Sequence, residues 1–162
     1  MITPRLTELA HDIADRLRAN GETVGVAEGS AGGLISAALL SVPGASAYYL
    51  GGVIVYTANA YRAFMAGAVP RPDGMRGATE VFAAHLAEAA TVQLAATWGL
   101  GEAGAAGPPN PYGDPAGHCW LAVHGPTTTT RRLLTGLDDR EQNMMAFAEG
   151  SLALFAEVLA GR

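Results

Sequence analysis

Thr23 to Gly44 reads TVGVAEGSAGGLISAALLSVPG. A short apolar run carrying Val24 and Val26 meets a turn rich in glycine (Gly29, Gly32, Gly33). It then opens into an apolar helical pattern (Leu34, Ile35, Ala37, Ala38, Leu39) that Pro43-Gly44 ends. A strand–turn–helix of this form aims several backbone N–H groups, and the positive end of a helix dipole, at one small volume, where negative charge is stabilised. A candidate binding site is therefore expected here, with Glu28, Gly29, Gly32 and Gly33 around it. Each also has a plain structural reading. Glu28 suits the dipole of the following helix, the glycines suit a tight turn, and Ser30 suits a helix N-cap.

On either side the pattern alternates between helix and strand. Thr3-Pro4 provides a cap and a proline for a first helix with Leu6, Leu9, Ala10, Ile13, Ala14 and Leu17 on one stripe, stopped by Asn20-Gly21. Strands are expected over 22–27, Gly52 to Thr57, and Gly101 to Gly107. Further helices are expected over Ala58 to Met65, Thr79 to Trp98 and Asp139 to Leu159, with a short helical or irregular piece at Ala45 to Tyr49. Pro70 to Gly77 and Pro108 to Pro115 read as loops, and Gly117 to His124 and Thr127 to Thr135 as an antiparallel pair turning at Gly125-Pro126. Helices alternating with strands and then a hairpin point to an α/β fold, a three-layer α/β/α sandwich with a mixed sheet, in a single domain over residues 1–162.

Composition narrows the chemistry. With 162 residues, 49% hydrophobic and 15% charged, the chain can bury an ordinary core. A net charge of −5 opposes binding to nucleic acid or to an acidic membrane surface. No apolar run is expected to span a membrane, and with no basic-then-apolar leader the chain is expected to be cytoplasmic. The one cysteine, Cys119, has no intrachain disulfide partner. His118 and Cys119 are adjacent, so on a strand they face opposite sides and make a poor metal pair; neither a metal nor a cofactor is expected. All 10 basic residues are arginine, which excludes a lysine amine as base or nucleophile.

The Val26–Gly33 segment, VAEGSAGG, resembles the A-E-S-C-T-G-G signature of the CinA C-terminal domain family, the nicotinamide-nucleotide amidases. SVPGASAYYLGGVIVYTANAYRAFM (Ser41 to Met65) resembles that family's D-x-P-G-S-S-x-x-F-x-x-G-x-V-x-Y-S-N-x-x-K stretch. AGAAGPPNPYGDPAGHCWLAV (Ala103 to Val123) resembles its S-G-I-A-G-P-x-G-G…K-P-V-G-T-V-x-x-A stretch. The blocks keep the family's order and spacing over nearly the whole chain. The resemblance implies the same sandwich, a tendency to homo-oligomers, and a form standing alone without the amino-terminal domain of longer relatives. It also implies an activity: a Ser–Lys dyad cleaving the carboxamide of nicotinamide mononucleotide, with the lysine taking the serine's proton.

At the dyad positions this chain has Gly29 and Tyr61. Ser30 stands at the family's cysteine and Ala31 at its threonine, while Glu28 and Gly32-Gly33 are kept. Tyr56 matches the family tyrosine, and Ala106-Gly107-Pro108 survives with Asn110-Pro111 after it. Asp114 replaces a lysine and would oppose a phosphate, and Arg140 falls near a family arginine. Two functions are therefore expected as alternatives. One is a catalytically degenerate domain that binds a nucleotide or other small anionic ligand, or acts in assembly. The other is an active amidohydrolase with a rearranged site, using Ser30 and Tyr61 as catalytic groups and Glu28, Gly29, Gly32, Gly33, Tyr56 and Gly107 to bind substrate. A free phenol ionises only around pH ~10, so tyrosine makes an inefficient base.

Overall fold

The computed structural model describes residues 2–162. Helix α1 (Pro4–Asn20) starts where the Thr3 hydroxyl accepts the Leu6 N–H at 3.1 Å, and ends at Gly21 in the left-handed region. Its buried residues are the six of the sequence stripe. Strand β1 (Val24–Glu28) is buried throughout and leads through the glycine turn into α2 (Leu34–Leu40). After a 3₁₀ turn (Ala45–Ala47) come β2 (Tyr49–Ile54), α3 (Ala58–Phe64), α4 (Glu80–Leu94), β3 (Trp98–Ala105), β4 (His118–His124), β5 (Thr129–Leu134) and α5 (Arg140–Ala160).

The five strands form one mixed sheet in the order β2-β1-β3-β4-β5. β1 runs parallel to β2 and β3, while β4 is antiparallel to β3 and β5. Helices α1, α2 and α5 share one core with Leu100, Leu121, Trp98 and Phe155. α4 covers the opposite face, so the architecture is the expected three-layer α/β/α arrangement. β1 lies between its two parallel neighbours, with α2 leaving its carboxyl end for one face and α4 lying on the other. Crevices form at such reversal points in α/β sheets.

Several boundaries differ from the sequence expectation. α4 stops at Leu94 because Ala95 takes a left-handed conformation (φ 50°), and Trp98 opens β3 instead of closing the helix. The Trp98 N–H donates to Thr23 O at 2.9 Å, and its fully buried ring meets Phe155 edge-on at 5.5 Å. Burying so large an apolar group contributes about 1.5–3 kcal/mol, which outweighs one further helical turn. β2 starts earlier than Gly52, since Tyr49 pairs with Val24, and Thr57 leaves the strand to cap α3 by accepting the Ala60 N–H.

β3 likewise begins before Gly101. A Cβ at Gly99 or Gly101 would lie 2.0 Å from the carbonyl of Ala87 or Ala83, so these glycines let α4 ride directly on the strand. At 21 residues α5 has the length and apolar composition to cross a bilayer, contrary to the expectation that no segment does. Here Phe147, Leu152, Phe155 and Leu159 place it in the core beside α1.

Candidate functional site

Register places Glu28, the last residue of β1, beside Glu102 in the middle of β3. Both are fully buried, and together they occupy the N–H groups of the glycine turn. The Gly33 and Ile35 N–H groups donate to Glu28 Oε2 at 2.9 and 3.1 Å. The Ser36 N–H and hydroxyl donate to Oε1 at 3.0 and 2.6 Å. α2 has no side-chain N-cap of its own, and the Glu28 carboxylate fills that place. The Gly29 and Ala31 N–H groups donate to Glu102 Oε2 at 2.9 and 2.8 Å, and the Cys119 thiol donates to Oε1 at 3.2 Å. Burial pushes Glu102 up to about 7, with the nearby Glu28 charge adding to the rise against the stabilising hydrogen bonds. Burial, followed by the Glu102 carboxylate, also drives the Cys119 thiol upward.

The turn is thus an anion cradle already filled by the chain's own carboxylates. Gly32 and Gly33 have φ of 67° and 99°, as the turn requires, and the Gly32 N–H donates back to Gly29 O. Ser30 is not the N-cap of α2; that position is Gly33. The Ser30 hydroxyl instead donates to Gly104 O and accepts the Gly104 N–H at 3.2 Å, tying the turn to β3. Position 29 keeps room for a side chain, since a Cβ there would lie 3.4 Å from Glu102 O and 3.6 Å from Val55 O.

The open space lies next to this turn. A cavity of about 910 Å³ is bounded by Val55 to Ala58, by α3 and by the connector between α3 and α4. Tyr56, Tyr61, Phe82 and Tyr112 supply aromatic surface there, and Arg62, Arg71 and Arg76 supply positive charge. Smaller surface grooves of about 430 and 440 Å³, lined by a mixture of acidic and small or apolar side chains, lie along α1 and α5.

Of the residues singled out from the sequence, Tyr56 and Tyr61 line the cavity, whereas Glu28, Gly29, Ser30, Gly32 and Gly33 do not. Gly107 is held near it indirectly: Arg140 donates to both Gly107 O and, at 2.9 Å, Tyr56 Oη. No hydrogen bond joins Ser30 to Tyr61, whose hydroxyl lies 2.9 Å from His85 Nε2.

Asp114 does not stand as an unopposed negative charge. Arg76 Nη1 lies 2.7 Å from Asp114 Oδ2, and this contact holds the carboxyl below the usual range. Arg76 also stacks over the Tyr112 ring, 5.1 Å from its centroid, clasping the connector to the loop before β4. Sequence reasoning passed over Glu102 and His85. The available signals were a lone carboxylate in the small apolar run Gly99–Ala106 and a lone imidazole three residues after Phe82 on α4.

The family model of the CinA C-terminal domain matches residues 6–159. A CinA-like protein of Anaeromyxobacter sp. (strain Fw109-5) is 41% identical over 145 residues, covering 86% of this chain and 35% of the relative. A CinA-like protein of Acidobacterium capsulatum is 38% identical over 134 residues, or 80% of this chain and 32% of that relative. The chain therefore spans about a third of the length of these curated relatives. The crystal structure of the competence damage-inducible protein A from Klebsiella pneumoniae superposes with a TM-score of 0.87 at 26% identity, covering 96% of this chain and 97% of that one.

Proposed function

The chain belongs to the CinA C-terminal domain family, and from that premise we propose that it is a binding member, one that takes a small anionic aromatic ligand such as a nucleotide without cleaving it by a Ser–Lys dyad. The observation that carries this reading is the absence of any free nucleophile in the turn. Gly29 has no hydroxyl, the Ser30 hydroxyl is tied to both backbone groups of Gly104, and Tyr61 stands where the family's lysine would take a proton. A serine is a weak nucleophile until an adjacent base takes its proton, and no such base touches Ser30. The binding half rests on the neighbouring cavity. Arg62 and Arg71 offer charge to a phosphate, and Tyr56, Tyr61, Phe82 and Tyr112 offer faces or edges to a ring. We further propose that the chain works as a homo-oligomer in the cytoplasm, independently of membranes and nucleic acid.

Titration with nicotinamide mononucleotide, followed at once by calorimetry and by ammonia release, tests the reading. Saturable heat without ammonia, weakened by Arg71→Gln, is expected. Steady ammonia release that Ser30→Ala abolishes would instead establish a nucleotide amidohydrolase with a rearranged site.

A further inference from the structure

We propose that Tyr61 and His85 form a two-residue reader of ligand hydrogen bonding: His85 Nε2 accepts the Tyr61 hydroxyl proton, and the Tyr61 oxygen, left with lone pairs only, accepts an N–H from the ring edge of the ligand. This deepens the preceding reading and rests on it, since it takes the cavity to hold a small anionic aromatic ligand.

The pair is built from two elements. Tyr61 comes from α3 and lines the cavity beside Arg62 and Arg71. His85 comes from α4, is 3% exposed, and does not line the cavity. Its Nε2 lies 2.9 Å from Tyr61 Oη, with the ring centroids 5.7 Å apart, and Phe82 packs edge-on against Tyr61 at 6.0 Å. The tyrosine that lines the cavity is thus held by the buried imidazole through its hydroxyl and by a phenyl ring at its edge.

What the oxygen offers depends on the imidazole. Burial lowers the proton affinity of His85; Arg71, facing it from the connector, lowers it further, while Glu88 on the same helix opposes both. The imidazole is therefore neutral at neutral pH, and a neutral ring with its proton on Nδ1 has an acceptor at Nε2. A phenol that donates to that acceptor presents only an acceptor to anything in front of it. An imidazolium has no lone pair and must donate, so in acid the phenol hydrogen turns toward the ligand and the preference reverses. A protonated lysine at position 61 would carry donors only, so relative to an ammonium this chain inverts the hydrogen-bond polarity of that point in the wall.

Two probes differ at the relevant edge. Nicotinamide mononucleotide carries a carboxamide with N–H donors, and nicotinic acid mononucleotide carries a carboxylate that only accepts. Calorimetry at pH 7.5 is expected to show that Tyr61→Phe weakens the carboxamide ligand about tenfold, the loss of one good hydrogen bond, while the carboxylate ligand changes about twofold or less. His85→Leu is expected to reproduce part of that loss and His85→Gln to restore it, because its amide oxygen can take the place of Nε2. Nitrogen NMR of the His85 ring is expected to show Nε2 unprotonated at pH 7.5, and the carboxamide preference is expected to narrow as the imidazole gains a proton.

Equal losses of both ligands in Tyr61→Phe, or a proton on Nε2 at neutral pH, would overturn the reader. If neither nucleotide gives heat with the wild-type chain, the reading of the cavity fails first. The ring NMR, which needs no ligand, then judges the Tyr61–His85 assignment by itself.

Discussion

The glycine turn after β1 and the cavity beside α3 sit next to each other at the carboxyl edge of the sheet, yet they use polar groups in opposite ways. In the turn, the N–H groups of Gly29, Ala31, Gly33, Ile35 and Ser36 all donate to one of two carboxylates from within the chain. In the cavity, Arg62 and Arg71 form no ion pair among the described residues, and aromatic surface lies beside them. A helix N-terminus binds anions only while its donors are free. Here the motif that attracts attention in the sequence is a structural clamp, and the less conspicuous connector borders the open, positively charged cavity.

The strongest way to break this contrast is to empty the clamp. Glu28→Ala removes the acceptor of three backbone N–H groups and the Ser36 hydroxyl, leaving buried donors unsatisfied. A loss of about 3 kcal/mol or more in urea unfolding is expected. A loss below about 1 kcal/mol would mean that the turn does not depend on this carboxylate.

Glu102 sharpens the same point through pH. Its folded value of about 7 lies above the ordinary 4.5, so the folded chain retains a proton that the unfolded chain releases. The corresponding stability is fully present below about pH 4.5 and is lost as pH rises through about 7. Wild-type stability is expected to fall by roughly 2 kcal/mol between pH 5 and pH 7.5 from this group, and Glu102→Gln to flatten that slope. An unchanged slope in the variant would assign the dependence elsewhere.

A smaller effect is expected for Ser30→Ala: a loss of about 1 kcal/mol as Gly104 gives up its hydroxyl partner, with ligand affinity unchanged. A fall in affinity with stability intact would move Ser30 into the binding machinery. The smallest effect belongs to the clasp. Arg76 is 39% exposed, so Asp114→Asn is expected to change stability by no more than ~0.5 kcal/mol. By releasing Arg76 toward the cavity, it is expected to tighten binding of an anionic nucleotide in calorimetry.

The layers of the fold were legible because they follow from periodicity and punctuation. Thr3-Pro4, the Leu6–Leu17 stripe and Gly21 delimit α1 in the sequence as they do in the structure. The misplaced boundary near Trp98 reflects tertiary packing, since a side chain bound for the core ended one element and began another. That positions 29 and 61 hold glycine and tyrosine could be read directly.

The destination of the turn's donors could not be read. Glu102 is 73 residues from Gly29, and only the parallel register of β1 and β3 brings its carboxylate under the turn. The same limit hid His85, whose partner Tyr61 lies 24 residues away on another helix. It also made Asp114 look repulsive, because the arginine that neutralises it comes from a loop 38 residues earlier.

Residue-resolved amide hydrogen exchange, with and without saturating nicotinamide mononucleotide, tests most directly that the turn is filled from within and the cavity is not. The account predicts strong protection of Ala31, Gly33 and Ile35 in the free chain, unchanged by the nucleotide, with new protection along residues 66–79. Weak protection of those three amides in the free chain, rising sharply when the nucleotide binds, would contradict it.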